Sequence, residues 1–208
     1  MDARIDVGDL HSNRSALLEA IHLVASLHIA RRNTAASQRL NELEEKVRAN
    51  MLQLVVLGQF KRGKTTLINA LLGAELLPTA IIPLTSIITV LQYGTREKVT
   101  VQLLYGRQQE ITVRELADYV TEPGNPGNAR GVDKVVIEYP SPYLRNGVQI
   151  IDTPGVGSVY RHNTDVAYEF VPKADAGIFV VTADPPISQA DLEFLVSIKT
   201  FQCAAGQA

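Results

Sequence analysis

Gly58-Gln59-Phe60-Lys61-Arg62-Gly63-Lys64-Thr65 carries the most specific chemistry in this sequence. It fits G-x-x-x-x-G-K-[ST] at every position. Glycines let the backbone turn tightly and bring its N–H groups around a phosphate. A helix starting directly afterwards aims its N-terminal dipole at the same anion. In such a loop Lys64 bridges the β- and γ-phosphates, the Thr65 hydroxyl ligates Mg²⁺, and backbone amides from Gln59 to Thr66 cradle the phosphates. Average residue usage yields the pattern by chance in roughly 1% of chains this long. The flanks lower that chance: Leu52 to Leu57 is an apolar run suited to a buried strand, and Thr66 to Leu72 reads as a helix closed by Gly73.

A second group of residues completes a nucleotide switch. Ile150-Ile151-Asp152-Thr153-Pro154-Gly155 ends another apolar strand in an acid. An adjacent parallel strand places Asp152 near Thr65, where its carboxylate holds Mg²⁺ directly or through water. Gly155 offers an unhindered N–H to a γ-phosphate. Between the two motifs, Leu77-Pro78-Thr79-Ala80-Ile81-Ile82-Pro83-Leu84-Thr85-Ser86 reads as a proline-bounded loop whose threonines either supply a metal ligand or face solvent. Lys61 and Arg62 either bring positive charge to a transferring phosphoryl group or are solvated loop cations.

These residues need a scaffold, and the rest of the chain supplies one. Of 208 residues, 46% are hydrophobic, enough for a packed core. A net charge of −2 gives no electrostatic footprint for nucleic acid. Cys203 is the single cysteine, so neither an internal disulfide nor a cysteine metal cage is available. His11, His22, His28 and His162 have no metal-ligand spacing, though Arg161 and His162 follow Asp152 closely. No run of about 18 apolar residues suggests a membrane span, so a cytoplasmic chain is expected. Residues 10–50 hold none of the 14 Gly and 10 Pro and read as amphipathic helix, interrupted near Arg31–Thr34, with Thr34 or Ser37 as the second cap. Its stripe Leu17, Ile21, Val24, Leu27 requires burial. Strands are expected at Ile87–Leu91, Val99–Leu104, Val135–Glu138, Val148–Ile151 and Gly177–Val181. Helices are expected at Val113–Val120, opened by a Thr112/Glu115 capping box, and from Ser188 to about Lys199. The alternation predicts an α/β domain over 51–208, a mostly parallel sheet flanked by helices, behind a helical segment at 1–50.

The phosphate loop and its helix, Leu77-Pro78, Pro83-Leu84-Thr85-Ser86, Asp152-Thr153-Pro154-Gly155 and Ala183-Asp184-Pro185-Pro186-Ile187-Ser188 together resemble a dynamin-superfamily GTPase, most nearly the bacterial dynamin-like proteins, over about residues 50–200. The resemblance implies a P-loop GTPase fold, GTP as substrate, Mg²⁺ as cofactor, and Thr85 as the switch threonine that ligates Mg²⁺ and holds the attacking water. It implies self-association across the nucleotide face, exchange of GTP for GDP, and a membrane-bound stalk coupled to the N-terminal helices. Two departures stand out. Phe60 occupies the place where eukaryotic dynamins carry a water-orienting glutamine. No Asn-Lys-x-Asp guanine-reading motif occurs, which leads to the expectation of an incomplete domain at the C-terminal end. A non-hydrolysing scaffold and an ATP-using P-loop enzyme remain as alternatives.

Overall fold

The computed structural model describes residues 7–27, 32–79, 87–155, 171, 174–184 and 187–206, with side chains described between 14 and 198. Thr85, Arg161, His162 and His28 lie outside those residues, as do the side chains of His11 and Cys203. The chain divides into two compact units, Met1–Met51 and Leu52–Ala208.

The first unit is a helical hairpin of α1 (Val7–Ser26) and α2 (Thr34–Ala49). The cap of α2 is Asn33, not Thr34 or Ser37: its Oδ1 accepts from the Ala36 N–H at 3.1 Å. The short Asn side chain reaches that orphan amide while Thr34 takes the first helical position. Asn50 ends the helix in the left-handed conformation, its N–H bonded to the Lys46 and Val47 carbonyls. Arg48 Nε donates to Glu44 Oε1 at 2.7 Å, an i,i+4 pair, and His22 on α1 meets the same carboxylate oxygen at 2.9 Å. Glu42 Oε1 accepts from Gln38 Nε2 at 3.0 Å. The α1 stripe is buried only at Ile21; Leu17, Val24 and Leu27 stay exposed among the described residues, because two helices cannot enclose it.

The second unit is built on β1 (Leu52–Leu57), β2 (Ile88–Tyr93), β3 (Lys98–Leu103), β4 (Gln108–Ile111), β5 (Val132–Tyr139), β6 (Val148–Asp152) and β7 (Ala176–Phe179), with helices α3 (Lys64–Leu72), α4 (Ala117–Val120) and α5 (Gln189–Gly206). The strands form one sheet in the order β4-β3-β5-β2-β6-β1-β7. The sheet is mixed: β1 runs parallel to β6 and β7, and β2 to β5, whereas β2–β6, β3–β5 and β3–β4 are antiparallel. The β3–β4 hairpin, the β3–β5 pairing and the reversed run of β2 against β6 make up the antiparallel share. Sequence patterning does not find β4, since Gln108, Gln109 and Glu110 are exposed and an edge strand need not alternate.

Alternation along the strands sorts the core onto both faces. Val56, Ile68, Leu72, Leu91, Val99, Val135, Ile137 and Ile150 pack on the face carrying α3. Val55, Leu57, Ile88, Val90 and Ile151 pack with Phe194 of α5 on the other. The Thr112/Glu115 capping box forms, but the predicted Val113–Val120 helix is a 3₁₀ turn followed by the short α4. One buried polar clamp fixes the chain leaving α3. Asn69 Nδ2 donates to the Leu77 carbonyl at 2.9 Å, and Asn69 Oδ1 accepts from the Leu77 N–H at 3.0 Å. Asn69→Leu orphans both Leu77 groups in a buried setting. Urea denaturation of this variant is expected to show a loss of about 2–3 kcal/mol, against an exposed control such as Gln109→Leu near zero.

Candidate functional site

The site sits at the carboxyl ends of the central strands, where β1 runs into the phosphate loop and β6 ends in Asp152. The parallel register pairs Val56 with Asp152, bringing the acid level with the start of the loop. The Thr153 hydroxyl donates to the Val56 carbonyl at 2.8 Å and ties the two strand ends together. Ligand crevices of open α/β sheets lie at such strand ends.

Local sequence explains the loop's shape. Gly58 has φ +144°, and a Cβ there would stand 2.5 Å from the Val180 carbonyl oxygen. Gly63, at φ +87°, caps α3 without any side-chain hydrogen bond, so the first-turn amides of Lys64, Thr65 and Thr66 have no capping side chain. Gly155 meets the loop from the opposite side; a Cβ there would lie 2.7 Å from both Cα and N of Phe60. Gly155→Ala must therefore push the loop backbone aside. We expect a folded chain whose nucleotide affinity, read by titration calorimetry, is reduced by about tenfold or more.

A cleft of about 300 Å³ opens between the loop, Pro78, Thr79, Thr153 and Gly155. The Lys64 Nζ folds back to donate to the carbonyls of Gly58, at 2.9 Å, and Gln59, at 3.0 Å. Burial pushes its amine below the ordinary lysine range, and the nearby Asp152 charge partly opposes this. Asp152 is buried as well. Desolvation raises its carboxyl to about 6, against the attraction of Lys64 and the Thr65 hydroxyl. Thr65 Oγ1 stands 3.5 Å from Asp152 Oδ2, a neighbour more than a strong partner. Asp152 Oδ1 is buried with no hydrogen-bond partner. A buried carboxylate oxygen left open beside a hydroxyl is the donor set of a hard divalent cation, so Asp152 and Thr65 fit Mg²⁺. Among the described residues no group of three His, Cys, Asp or Glu forms a metal cluster, and a cation held by this pair would take its remaining ligands from phosphate oxygens and water.

A family model described as the dynamin family matches residues 54–200, spanning the loop, Asp152 and the start of α5. This chain belongs to the dynamin family. It is 54% identical over 156 residues to an uncharacterized protein in the xynA 3' region of Caldicellulosiruptor sp., covering 75% of this chain and 39% of that one. It is 31% identical over 172 residues to a bacterial dynamin-like protein of Nostoc punctiforme, covering 78% of this chain and 24% of that protein. A solved structure, described as an oligomerised bacterial dynamin pair that provides a mechanism for long-range sensing and tethering of membranes, superposes with a TM-score of 0.63 at 20% identity, over 95% of this chain and 30% of its own. The dynamin-family chain thus spans well under half the length of these relatives.

Within this family setting, the loop residues, Lys64, Thr65, Thr66, Asp152 and Gly155 converge on one place. Thr85 falls outside the described residues. The two neighbouring cations separate. Lys61, at φ +62°, is exposed, with Nζ 5.5 Å from the Phe60 ring centre. Arg62 also lines the cleft, but its guanidinium is engaged by protein groups: it bonds the Thr182 hydroxyl, Gln59 Oε1 at 3.2 Å and Asp191 Oδ2 at 3.4 Å. Sequence reading passed over Asp191. Its signal was Ser188-x-x-Asp191, a capping-box spacing at the predicted start of α5.

Proposed function

We propose that this chain binds GTP with Mg²⁺ at the phosphate loop and hydrolyses it, as the nucleotide switch of a dynamin-like protein. The observation that carries the reading is the open, buried Oδ1 of Asp152, whose other oxygen stands 3.5 Å from Thr65, next to a cleft that Thr65 lines together with Lys64 on its exchangeable backbone partners. Lys64 exchanges the Gly58 and Gln59 carbonyls for β- and γ-phosphate oxygens. First-turn amides of α3 take the remaining phosphate charge. Thr65 and Asp152 would hold Mg²⁺, which when bound would neutralise charge developing on the phosphoryl oxygens. Lys61 brings a further positive charge to the transferring group, and Thr85 joins these residues as the switch ligand. Catalysis of this kind rests on positioning and electrostatics, with no covalent step on the protein.

In this reading GDP leaves after hydrolysis, a second copy docks across the nucleotide face, and membrane remodelling belongs to the whole dynamin-like assembly. No helix among the described residues is long and apolar enough to cross a membrane. The test is Mg²⁺-dependent binding of fluorescent GTP, competed by unlabelled GTP or ATP, followed by phosphate release. Displacement by GTP but not ATP, with turnover, supports a GTPase. Equal displacement by ATP overturns guanine selectivity, and binding without turnover overturns hydrolysis in favour of a scaffold.

A further inference from the structure

Two of the variable residues of the phosphate loop, Gln59 and Arg62, reach across the end of β7 to the start of α5. Gln59 Nε2 donates to Ser188 Oγ at 2.6 Å. Arg62 Nη2 donates to Gln59 Oε1 at 3.2 Å and pairs with Asp191 Oδ2 at 3.4 Å. Ser188 closes the ring, its backbone N–H and its hydroxyl both donating to Asp191 Oδ2 at 2.9 and 2.8 Å. The Thr182 hydroxyl holds the remaining arm of the guanidinium. The Asp191 side chain is wholly buried, Arg62 keeps only 12% exposure, and Asp191 Oδ1 has no hydrogen-bond partner.

A buried carboxylate with one open oxygen depends on the cation beside it, because removing that cation leaves an uncompensated charge out of water. Asp191 is also the third residue of the capping box that opens α5: the Ser188 Oγ accepts from the Asp191 N–H at 3.2 Å while the Asp191 carboxylate accepts from the Ser188 N–H, so one group serves both the helix and the loop. Gln59 and Arg62 bracket Phe60 and Lys61 in sequence, so holding the outer pair fixes the backbone that carries the inner pair into the cleft.

We propose that Arg62 and Asp191 form a buried latch that gives the phosphate loop and the first turn of α5 a single joint conformation, with Arg62 a positioning residue for the nucleotide site. The role assigned to nucleotide rests on the proposed function; the latch itself does not. Arg62 acts through Asp191 and not on phosphate, which separates it from Lys61.

The test compares the whole chain with Arg62→Met, Asp191→Asn and the double variant, with Arg62→Lys as a milder alternative should Arg62→Met not fold. Asparagine keeps a carbonyl oxygen to accept from Ser188 at the start of α5 and removes the charge. In nucleotide-free protein, amide hydrogen exchange is followed over 58–63 and 189–193. The latch requires each single variant to raise exchange in both segments, and the double variant to add little to either. Exchange confined to the segment each variant occupies overturns it. With Mg²⁺ and fluorescent GTP, both single variants are expected to weaken binding by a similar factor, about tenfold, without compounding. Weakening by Arg62→Met but not by Asp191→Asn overturns the proposal and makes Arg62 a phosphate contact. If the unaltered chain binds no nucleotide, the proposed function fails, and the exchange measurement still decides the latch.

Discussion

Replacing Lys64 with methionine is expected to abolish nucleotide binding while leaving the empty chain as stable as before. Methionine keeps the length and removes the charge. In the nucleotide-free structure the ammonium satisfies two loop carbonyls, at 2.9 and 3.0 Å, at the expense of leaving water. Burial holds its folded-state pKa below 10.5, so the unfolded chain binds the proton more tightly. This stability is present only above 10.5 and is lost as pH falls through the depressed value, so at neutral pH the lysine is a net cost. Losing that cost offsets the two lost hydrogen bonds, and the change in unfolding free energy should stay within about 1 kcal/mol. Binding behaves differently. Each charge-assisted bond from Lys64 to a phosphate oxygen is worth about 1.5–3 kcal/mol, and two of them amount to a hundredfold loss of affinity or more. Thermal scans with saturating GTP and Mg²⁺ should raise the midpoint of the unaltered chain and leave that of Lys64→Met unmoved. A retained ligand-induced shift would remove Lys64 from the site.

How far the sequence exposed this site depends on how much local chemistry constrains each part. The phosphate loop was legible because its task requires residue types at fixed spacing, and the structure shows the reason at each glycine: Gly58 abuts the Val180 carbonyl, Gly63 leaves the start of α3 uncapped, and Gly155 abuts Phe60. Asp152 was legible because an apolar strand ending in an acid is conspicuous, and the β1–β6 register delivers it to Thr65. The edge strand β4 was hidden by its exposed glutamines and glutamate, which have no core to point at. The cap of α2 is Asn33 where Thr34 or Ser37 is expected, since all three are competent caps and only the backbone path decides among them. The two cations of the loop could not be told apart for a different reason. What distinguishes Arg62 from Lys61 is an acid 129 residues away in sequence, brought close only when α5 packs beside β7.

The largest pH effect should come from Asp152, and Asp152→Asn should remove it. Without metal, this carboxyl is held near 6 against an ordinary value of 3.8, because burial disfavours its charged form. Between those values the folded chain binds more protons than the unfolded one, so this group's contribution is fully present below 3.8 and is lost as pH rises through 6. At 1.36 kcal/mol per pH unit the full difference is about 3 kcal/mol. In EDTA, unfolding free energies of the unaltered chain should therefore fall between pH 4 and pH 7, and the fall should be smaller by about 2–2.5 kcal/mol in Asp152→Asn. Comparing slopes avoids the separate cost of an amide N–H left unpartnered where Oδ1 now stands open. Mg²⁺ with GTP should reverse the relation. The cation favours the charged carboxylate, so at pH 7 the unaltered chain gains stability from Mg²⁺ and nucleotide together, and the asparagine variant gains at most what nucleotide gives alone. Matching pH slopes in EDTA would mean that Asp152 is better solvated than its surroundings imply. An equal Mg²⁺ response in the two forms would place the metal elsewhere, and with it the charge that the transferring phosphoryl group needs.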